Sequence, residues 1–135
     1  MKQVKVYLYH EKDGSYSCYM DNDAELGYGL KGEGATVQDA IDDWYAHYEG
    51  MREFFTEEGR TFVEAEFSFI YDLVSLLHFY AGRLTFSGLS KITGVSAAQL
   101  SQYANGYRNP SPKTTEKIQN ALHAFGAELS QLQLV

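Results

Sequence analysis

Acidic side chains that lie close together in a sequence could bind a metal ion. Asp21, Asp23 and Glu25 are separated by single residues within one polar stretch. No other part of the sequence supplies carboxylates or histidines that would converge on them, and Asp and Asn are typical of turns. We therefore interpret the stretch as a loop turn. A metal-dependent nuclease that uses Asp21 and Asp23 is kept as one hypothesis, which the missing carboxylate cluster disfavours.

Other residue types that take part in catalysis form no pattern. Histidine occurs at four scattered positions: His10, His47, His78 and His123. No nucleophile is paired with a base, and Cys18 lies on a predicted strand, where a cysteine is expected in the core. Gly32 and Gly34 lack the lysine and the spacing of a phosphate-binding loop. We predict no enzyme activity, no catalytic or metal-binding residues and no cofactor.

A stretch without carboxylates lies in the second half of the chain. Residues 96–108 contain no Asp or Glu. Three amide side chains in this stretch could hydrogen-bond to base edges or phosphates: Gln99, Gln102 and Asn105. Arg108 and Lys113 are placed to bind the DNA backbone. The stretch predicts contact with double-stranded DNA.

The formal net charge of −7 is unevenly distributed. Residues 1–66 contain 6 Lys and Arg against 15 Asp and Glu, a balance of −9. Residues 67–135 contain 5 against 3, a balance of +2, and the two balances together give the total of −7. Two segments of different charge indicate two functions. The first segment repels phosphate and attracts basic partners, whereas the second can approach DNA.

The first half predicts a small sheet with one helix. Alternating residues at Val4, Val6 and Leu8 indicate a half-buried strand, and Asp13-Gly14 is a hairpin signal. Thr36 caps a helix whose apolar residues follow helical spacing as far as Tyr48. Four strands are predicted, and the third is rich in glycine: Lys2–His10, Ser15–Met20, Leu26–Gly34 and Arg60–Phe69.

The second half predicts helices only. A helix over Ile70–Ala81 is followed by two short helices that Gly94 separates and by a last helix that Thr114 or Thr115 caps and that ends at Gly126. An apolar tail then closes either the core or a dimer: Leu129, Leu132, Leu134 and Val135. Two short helices joined through a glycine are the helix-turn-helix arrangement.

Residues 89–122 resemble the Cro and phage-repressor helix-turn-helix family. The resemblance lies in Leu89-Ser90-Lys91-Ile92-Thr93-Gly94-Val95-Ser96, Leu100-Ser101-Gln102-Tyr103, Asn105-Gly106, Arg108, Pro110 and Ala121-Leu122. It implies that the groove-facing positions are Ser96, Ala97, Ala98, Gln99 and Gln102. It also implies that Asn105 contacts the DNA backbone. Phe86 departs from the family, which often has a phosphate-binding glutamine at this position.

The first half resembles the HicB antitoxins. The resemblance lies in Gly34, Thr36, Asp39 and Ala40, which match a short element of that family, while Glu25–Gly29 replaces its usual proline and glycine-cysteine piece. It implies a reduced ribonuclease-H-like fold that binds and masks a HicA-like ribonuclease toxin. We expect partner contacts at five residues: Tyr16, Tyr19, Asp21, Asp23 and Tyr28.

Together these features predict an α+β protein with a toxin-binding domain over residues 1–69 and a DNA-binding domain over residues 70–135. The predicted function is that of a type II antitoxin, which neutralises a HicA-like toxin and represses its own operon by binding operator DNA. The alternative is a one-component transcription regulator with a ligand-sensing first domain. A small basic HicA-like protein encoded next door would separate the two.

The composition bounds the location and assembly of the protein. At 135 residues and 44% hydrophobic content, the chain is typical of a soluble globular protein. No apolar run is long enough to cross a membrane, and a single cysteine fits a reducing compartment. We expect a cytoplasmic protein without membrane contact. A homodimer or a higher homo-oligomer would match a palindromic operator.

Overall fold

The computed structural model describes residues 1–21 and 25–135. The chain divides into two compact units, Met1–Ser75 and Leu76–Val135. The sequence had placed the division between residues 69 and 70.

The first unit contains a mixed four-stranded sheet and one long helix. The strands are β1 (Lys2–His10), β2 (Tyr16–Met20), β3 (Gly32–Gly34) and β4 (Ala65–Tyr71), and helix α1 spans Val37–Glu57. The strand order is β3-β2-β1-β4, with β1 antiparallel to β2 and parallel to β4. The predicted α+β class is confirmed.

Helix α1 covers one face of this sheet. It begins after Thr36, whose hydroxyl oxygen accepts a hydrogen bond from the Asp39 amide at 3.0 Å, as the capping pattern predicts. Trp44 is fully buried and meets the ring of Phe67 edge-on, with ring centroids 5.4 Å apart. Val4, Val6 and Leu8 are buried, so the alternation that predicted β1 also identifies its core side.

The third and fourth strands differ from their predicted extents. The third strand is only Gly32–Gly34, where a Cβ on either glycine would collide with the backbone or side chains of α1. The glycines therefore allow close packing of strand on helix. The fourth strand begins at Ala65 and runs to Tyr71, so the prediction of Ile70 as helical is wrong.

The start of the helix that follows β4 is set by its cap. Helix α2 spans Leu73–Tyr80 and contains the boundary between the two units. It begins after Asp72, whose carboxylate accepts a hydrogen bond from the Ser75 amide at 2.9 Å. This cap explains why the helix does not start at Ile70.

The second unit continues with three helices. These are α3 (Phe86–Thr93), α4 (Ala97–Ala104) and α5 (Pro112–Ser130). The cap of α5 is Ser111, whose hydroxyl oxygen accepts from the Thr114 amide at 3.1 Å, so the predicted caps Thr114 and Thr115 are wrong. Proline suits the first helical position because its missing N–H would be unpaired there.

Helix α5 and the residues after it extend beyond their predicted limits. The helix passes Gly126 and ends at Ser130. Leu129, Leu132 and Leu134 are exposed, so the expectation that the tail closes the core is wrong. Among the described residues, no helix combines the length and the apolar character needed to cross a bilayer.

Candidate nucleic-acid interface

The turn between α3 and α4 is fixed by its backbone conformation and by buried hydrogen bonds. Gly94 has φ of 77°, in the left-handed region, and its amide donates to the carbonyl of Ser90 at 2.8 Å. The hydroxyl of Thr93 donates to the carbonyl of Leu89 at 2.7 Å and accepts from the Val95 amide at 3.1 Å. The predicted separation of two short helices at Gly94 is confirmed, and its left-handed backbone ends α3.

A small apolar core holds the helices of the second unit together. Its buried members are Leu77, Leu89, Val95, Leu100, Tyr103 and Ile118. The ring nitrogen Nε2 of His78 lies 2.9 Å from the carbonyl oxygen of Ala104, which fixes the second half of α2 against the end of α4. These contacts position α4 as a rigid element.

One side of α4 is left for solvent. Leu100 and Tyr103 face inward, whereas Ala98, Gln102 and Asn105 are exposed. These three residues lie four and then three positions apart, which places them along one stripe of the helix surface. We call Ala98, Gln102 and Asn105 the exposed stripe of α4. It contains no charged residue and presents two amides.

The other predicted groove-facing residues are more constrained. Ser96 is the cap of α4, and its hydroxyl oxygen accepts from the Gln99 amide at 3.1 Å. Gln99 is half-buried, and its side-chain nitrogen donates to the hydroxyl of Tyr103 at 2.5 Å. Ala97 is also half-buried. Gln102 is therefore the amide of α4 that is both exposed and free of this internal bond.

The surroundings of α4 are cationic. The sequence has no Asp or Glu between Asp72 and Glu116. The basic residues within that interval are Arg83, Lys91, Arg108 and Lys113. Within the described residues, no salt bridge engages Arg108 or Lys113, and both are exposed. Such free cations are available to phosphate.

The charge division between the two units is sharper than the division of the sequence at residue 66. Residues 1–75 contain 6 Lys and Arg against 16 Asp and Glu, a balance of −10. Residues 76–135 contain 5 against 2, a balance of +3. The second unit is therefore the part of the chain that a polyanion can approach.

Two residues near α4 were missed by the sequence reasoning. Tyr107, between Gly106 and Arg108, is 85% exposed, and its amide donates to the carbonyl of Gln102 at 3.0 Å. Lys117 on α5 places its ammonium 3.6 Å from where a Cβ on Gly94 would lie. The aromatic residue after Asn105-Gly106 was a usable signal, whereas the approach of Lys117 to the turn depends on helix packing.

The comparisons with known proteins bear on this part of the chain. The helix-turn-helix family model matches residues 86–123. These residues form a DNA-binding helix-turn-helix domain. The domain spans α3, the turn at Gly94, α4 and the first part of α5. The predicted resemblance to Cro and phage-repressor domains is confirmed in this respect. Neither the curated proteins nor the solved structures yield a match to the chain.

The family match does not extend to the first unit. The comparisons give no support to the HicB resemblance of residues 1–69, which stays a prediction. The helix-turn-helix domain indicates a transcription regulator.

The residues predicted to bind a partner are separated by the fold. Tyr19 and Asp21 are exposed, and Asp23 lies outside the described residues. Tyr16 is buried, and Tyr28 is half-buried with its hydroxyl donating to the carbonyl of Val63 at 2.6 Å. We interpret Tyr16 and Tyr28 as packing residues of the first unit.

The residues considered for catalysis and metal binding take part in salt bridges or in the core. Glu25 forms a salt bridge with Lys2 at 3.3 Å. Cys18 is fully buried, and burial, with a smaller contribution from Asp43, raises the pKa of its thiol to about 11, which keeps it protonated at neutral pH. Over residues 1–21 and 25–135, no three His, Cys, Asp or Glu side chains converge as metal ligands would.

Proposed function

We propose that the protein is a repressor that reads operator DNA with the exposed stripe of α4 and is also the antitoxin of a HicA-like ribonuclease toxin. The observation that carries the DNA-reading part is the placement of Ala98, Gln102 and Asn105 on one uncharged, solvent-facing side of α4. The antitoxin part is supported by the charge balance of −10 in residues 1–75, together with the resemblance of the first unit to HicB.

Base recognition is assigned chiefly to Gln102. A glutamine side chain can form two hydrogen bonds with the N6 and N7 edge of adenine in the major groove. Ala98, one turn earlier on the same stripe, can contact a thymine methyl group without competing for hydrogen bonds. Gln99 can contribute through its carbonyl oxygen and its second N–H, since one N–H already donates to Tyr103.

Backbone contacts are assigned to the residues around α4. Asn105 lies at the end of the stripe, and its side-chain nitrogen donates to the hydroxyl of Ser101 at 3.3 Å, which orients the amide. Arg108 and Lys113 add two exposed cations, and the hydroxyl of Ser96 caps the amino end of α4. Contacts of this kind set the register of the helix in the groove.

A second copy of the chain would complete the operator complex. Two recognition helices bind palindromic half-sites about 34 Å apart. The exposed apolar residues at the end of α5, Leu129, Leu132 and Leu134, support a dimer because apolar side chains at this density favour burial against a partner.

The toxin-binding activity is assigned to the first unit. Its element order of three strands, a helix and a strand is the order expected for the reduced ribonuclease-H-like domain of HicB proteins. A strongly acidic domain attracts a basic RNA-binding toxin and competes with RNA for it.

Two experiments test the two parts separately. The chain is first incubated with a pool of random duplexes, and selected sites are expected to be palindromic and rich in A·T pairs at the Gln102 position. The chain is then co-expressed with any small basic HicA-like protein that is found encoded beside it. Rescue of growth supports the antitoxin activity. Selected DNA sites without any such rescue would leave a one-component regulator as the function.

A further inference from the structure

The face of the sheet opposite α1 carries a group of tyrosines. Because Val4, Val6 and Leu8 point to α1, the alternate residues Tyr7 and Tyr9 project from the other side of β1. Tyr7 pairs with Tyr19 in the β1–β2 register, so the Tyr19 side chain lies on that side too. We call this side, with Tyr7, Tyr9 and Tyr19, the outer sheet face.

Two tyrosine rings of the outer sheet face, those of Tyr9 and Tyr19, are open to solvent. Tyr9 and Tyr19 are 36% and 46% exposed, and their ring centroids are 5.9 Å apart at an interplanar angle of 50°. The hydroxyl of Tyr7 donates to the carboxylate of Asp21 at 3.3 Å. Exposed aromatic rings fixed on strands offer contact area at little entropic cost.

Carboxylates surround these tyrosine rings. Asp21 follows β2, and Asp72 follows β4 in the outward phase of its alternation; both are exposed. Burial raises the pKa of Tyr9, and the negative charges of Asp72 and Asp21 raise it further. Glu33 on β3 and Glu66 on β4 occupy outward positions of the flanking strands.

One cation lies among these groups. Lys5 occupies an outward position of β1, between Tyr7 and the Gln3 side chain, whose nitrogen donates to the Glu66 carboxylate at 2.6 Å. Among the residues that the structure describes, four carboxylates against one ammonium leave the outer sheet face negative. The face therefore disfavours DNA, and it also disfavours a second copy of itself.

We propose that the outer sheet face is the docking surface for a cationic segment of a partner protein, with guanidinium groups stacked on Tyr9 and Tyr19 and paired with Asp21 and Asp72. Arginine fits both parts of this surface, because its planar group stacks on aromatic rings and binds carboxylates through two hydrogen bonds. A sheet face is flat and spans several strands, which suits an extended protein segment better than an enclosed small molecule. The assignment of that partner as the toxin rests on the proposed function; the surface itself does not.

The test uses the full chain and two synthetic peptides of about ten residues, one alternating arginine with glycine and the other lysine with glycine. Binding is followed by NMR titration at low salt, which reports both the affinity and the position of the perturbed amides. We expect the arginine peptide to perturb β1, β2 and the end of β4, and to bind more tightly than the lysine peptide.

Two pairs of variants separate local contacts from general charge attraction. Asp21→Asn with Asp72→Asn removes two charges and keeps both hydrogen-bond acceptors, and Asn can still cap α2. Glu53→Gln with Glu57→Gln removes two charges from α1, where both residues are exposed. We expect about fivefold weaker binding for the first pair and a much smaller loss for the second.

The rings are tested in the same way. Tyr9→Thr with Tyr19→Thr should weaken binding about tenfold, whereas Tyr9→Phe with Tyr19→Phe should retain it. Tyr45→Thr removes a tyrosine of similar exposure, 42%, from α1 and should leave binding unchanged. Circular dichroism of each variant confirms that the sheet has formed.

Three results would overturn the proposal: perturbed amides confined to α1, equal losses in the two charge pairs, or full affinity in the folded threonine variant. Each leaves the proposed function standing, because site selection and toxin rescue use other molecules. Conversely, the peptide can bind the outer sheet face as expected while toxin rescue fails. That combination would contradict the antitoxin assignment and leave the docking surface in place.

Discussion

The side-chain nitrogen of Gln99 donates a hydrogen bond to the hydroxyl of Tyr103, one turn further along α4, at 2.5 Å. The Tyr103 ring is buried in the core of the second unit, so this bond ties the half-buried Gln99 side chain to the packing beneath it. The bond also distinguishes two glutamines that look equivalent in the sequence. Gln99 is held by the fold, whereas Gln102 is exposed and free of this bond.

Replacing Tyr103 by phenylalanine tests this relationship. The variant removes the acceptor for Gln99 and keeps the buried ring, so we expect a loss of about 1 kcal/mol in the free energy of unfolding. Urea denaturation measures it. Tyr107→Phe is the matched control, because the Tyr107 side chain is almost fully exposed, and it should leave stability unchanged. Equal stability of both variants would show that the Gln99 bond does not contribute.

The turn between α3 and α4 can be tested with two glycines. Gly94→Ala places a Cβ at φ of 77°, which should destabilise the domain by about 1 to 2 kcal/mol. Gly126 lies within α5 with open space around it, so Gly126→Ala should stabilise the domain by up to about 1 kcal/mol. Thermal unfolding of the two variants should move in opposite directions. A shift in the same direction would contradict the assigned backbone of the turn.

The phosphate contacts proposed for Arg108 and Lys113 predict a change in the salt dependence of DNA binding. Arg108→Ala and Lys113→Ala should each weaken binding to all duplexes alike, and each should reduce the slope of log affinity against log salt by about 1. Fluorescence anisotropy over a range of salt concentrations measures both quantities. Lys31→Ala, a change of exposed charge in the first unit, is the control. An unchanged slope in the Arg108 and Lys113 variants would remove them from the interface.

The start of α5 gives a test of the corrected cap. Ser111→Ala removes the oxygen that accepts from the Thr114 amide and should cost about 1 kcal/mol of stability. Thr115→Ala changes a residue that the sequence had offered as the cap and should have little effect. If the Thr115 variant were instead the less stable of the two in urea, the helix would begin later than the structure shows.

The sequence was most informative where a local pattern determines local structure. Alternation from Lys2 to His10 identified β1 and its buried side, and Gly94 identified the turn between α3 and α4. These features depend on residues within one or two turns of each other. They include the helix-turn-helix domain, which is why that part of the fold was predicted well.

The errors arose where distant residues decide the outcome. Gly32 and Gly34 were interpreted as signs of a long, weakly packed strand, but they allow the close approach of a short strand to α1. Tyr28 was expected at a partner surface, but its hydroxyl reaches the carbonyl of Val63 and its ring stacks on Phe62. Burial of this kind is set by tertiary packing, which periodicity alone does not reveal.

The cap of α5 was an error of a different kind. Ser111 followed by Pro112 is a helix start signal of ordinary strength. Thr114 and Thr115 carry the same hydroxyl chemistry nearby, and the sequence analysis placed the cap at one of them. The start of α5 could therefore have been predicted from the sequence.

The central claim is that the exposed stripe of α4 reads DNA bases through Gln102. Its most direct measurement is the affinity of Gln102→Ala for a duplex selected by the native chain and for the same duplex with single base changes. We expect a loss of about 1 to 3 kcal/mol and a relaxed preference at one base pair, while Gln119→Ala on the exposed side of α5 binds like the native chain. Native affinity and native base preference in the Gln102 variant would contradict the account.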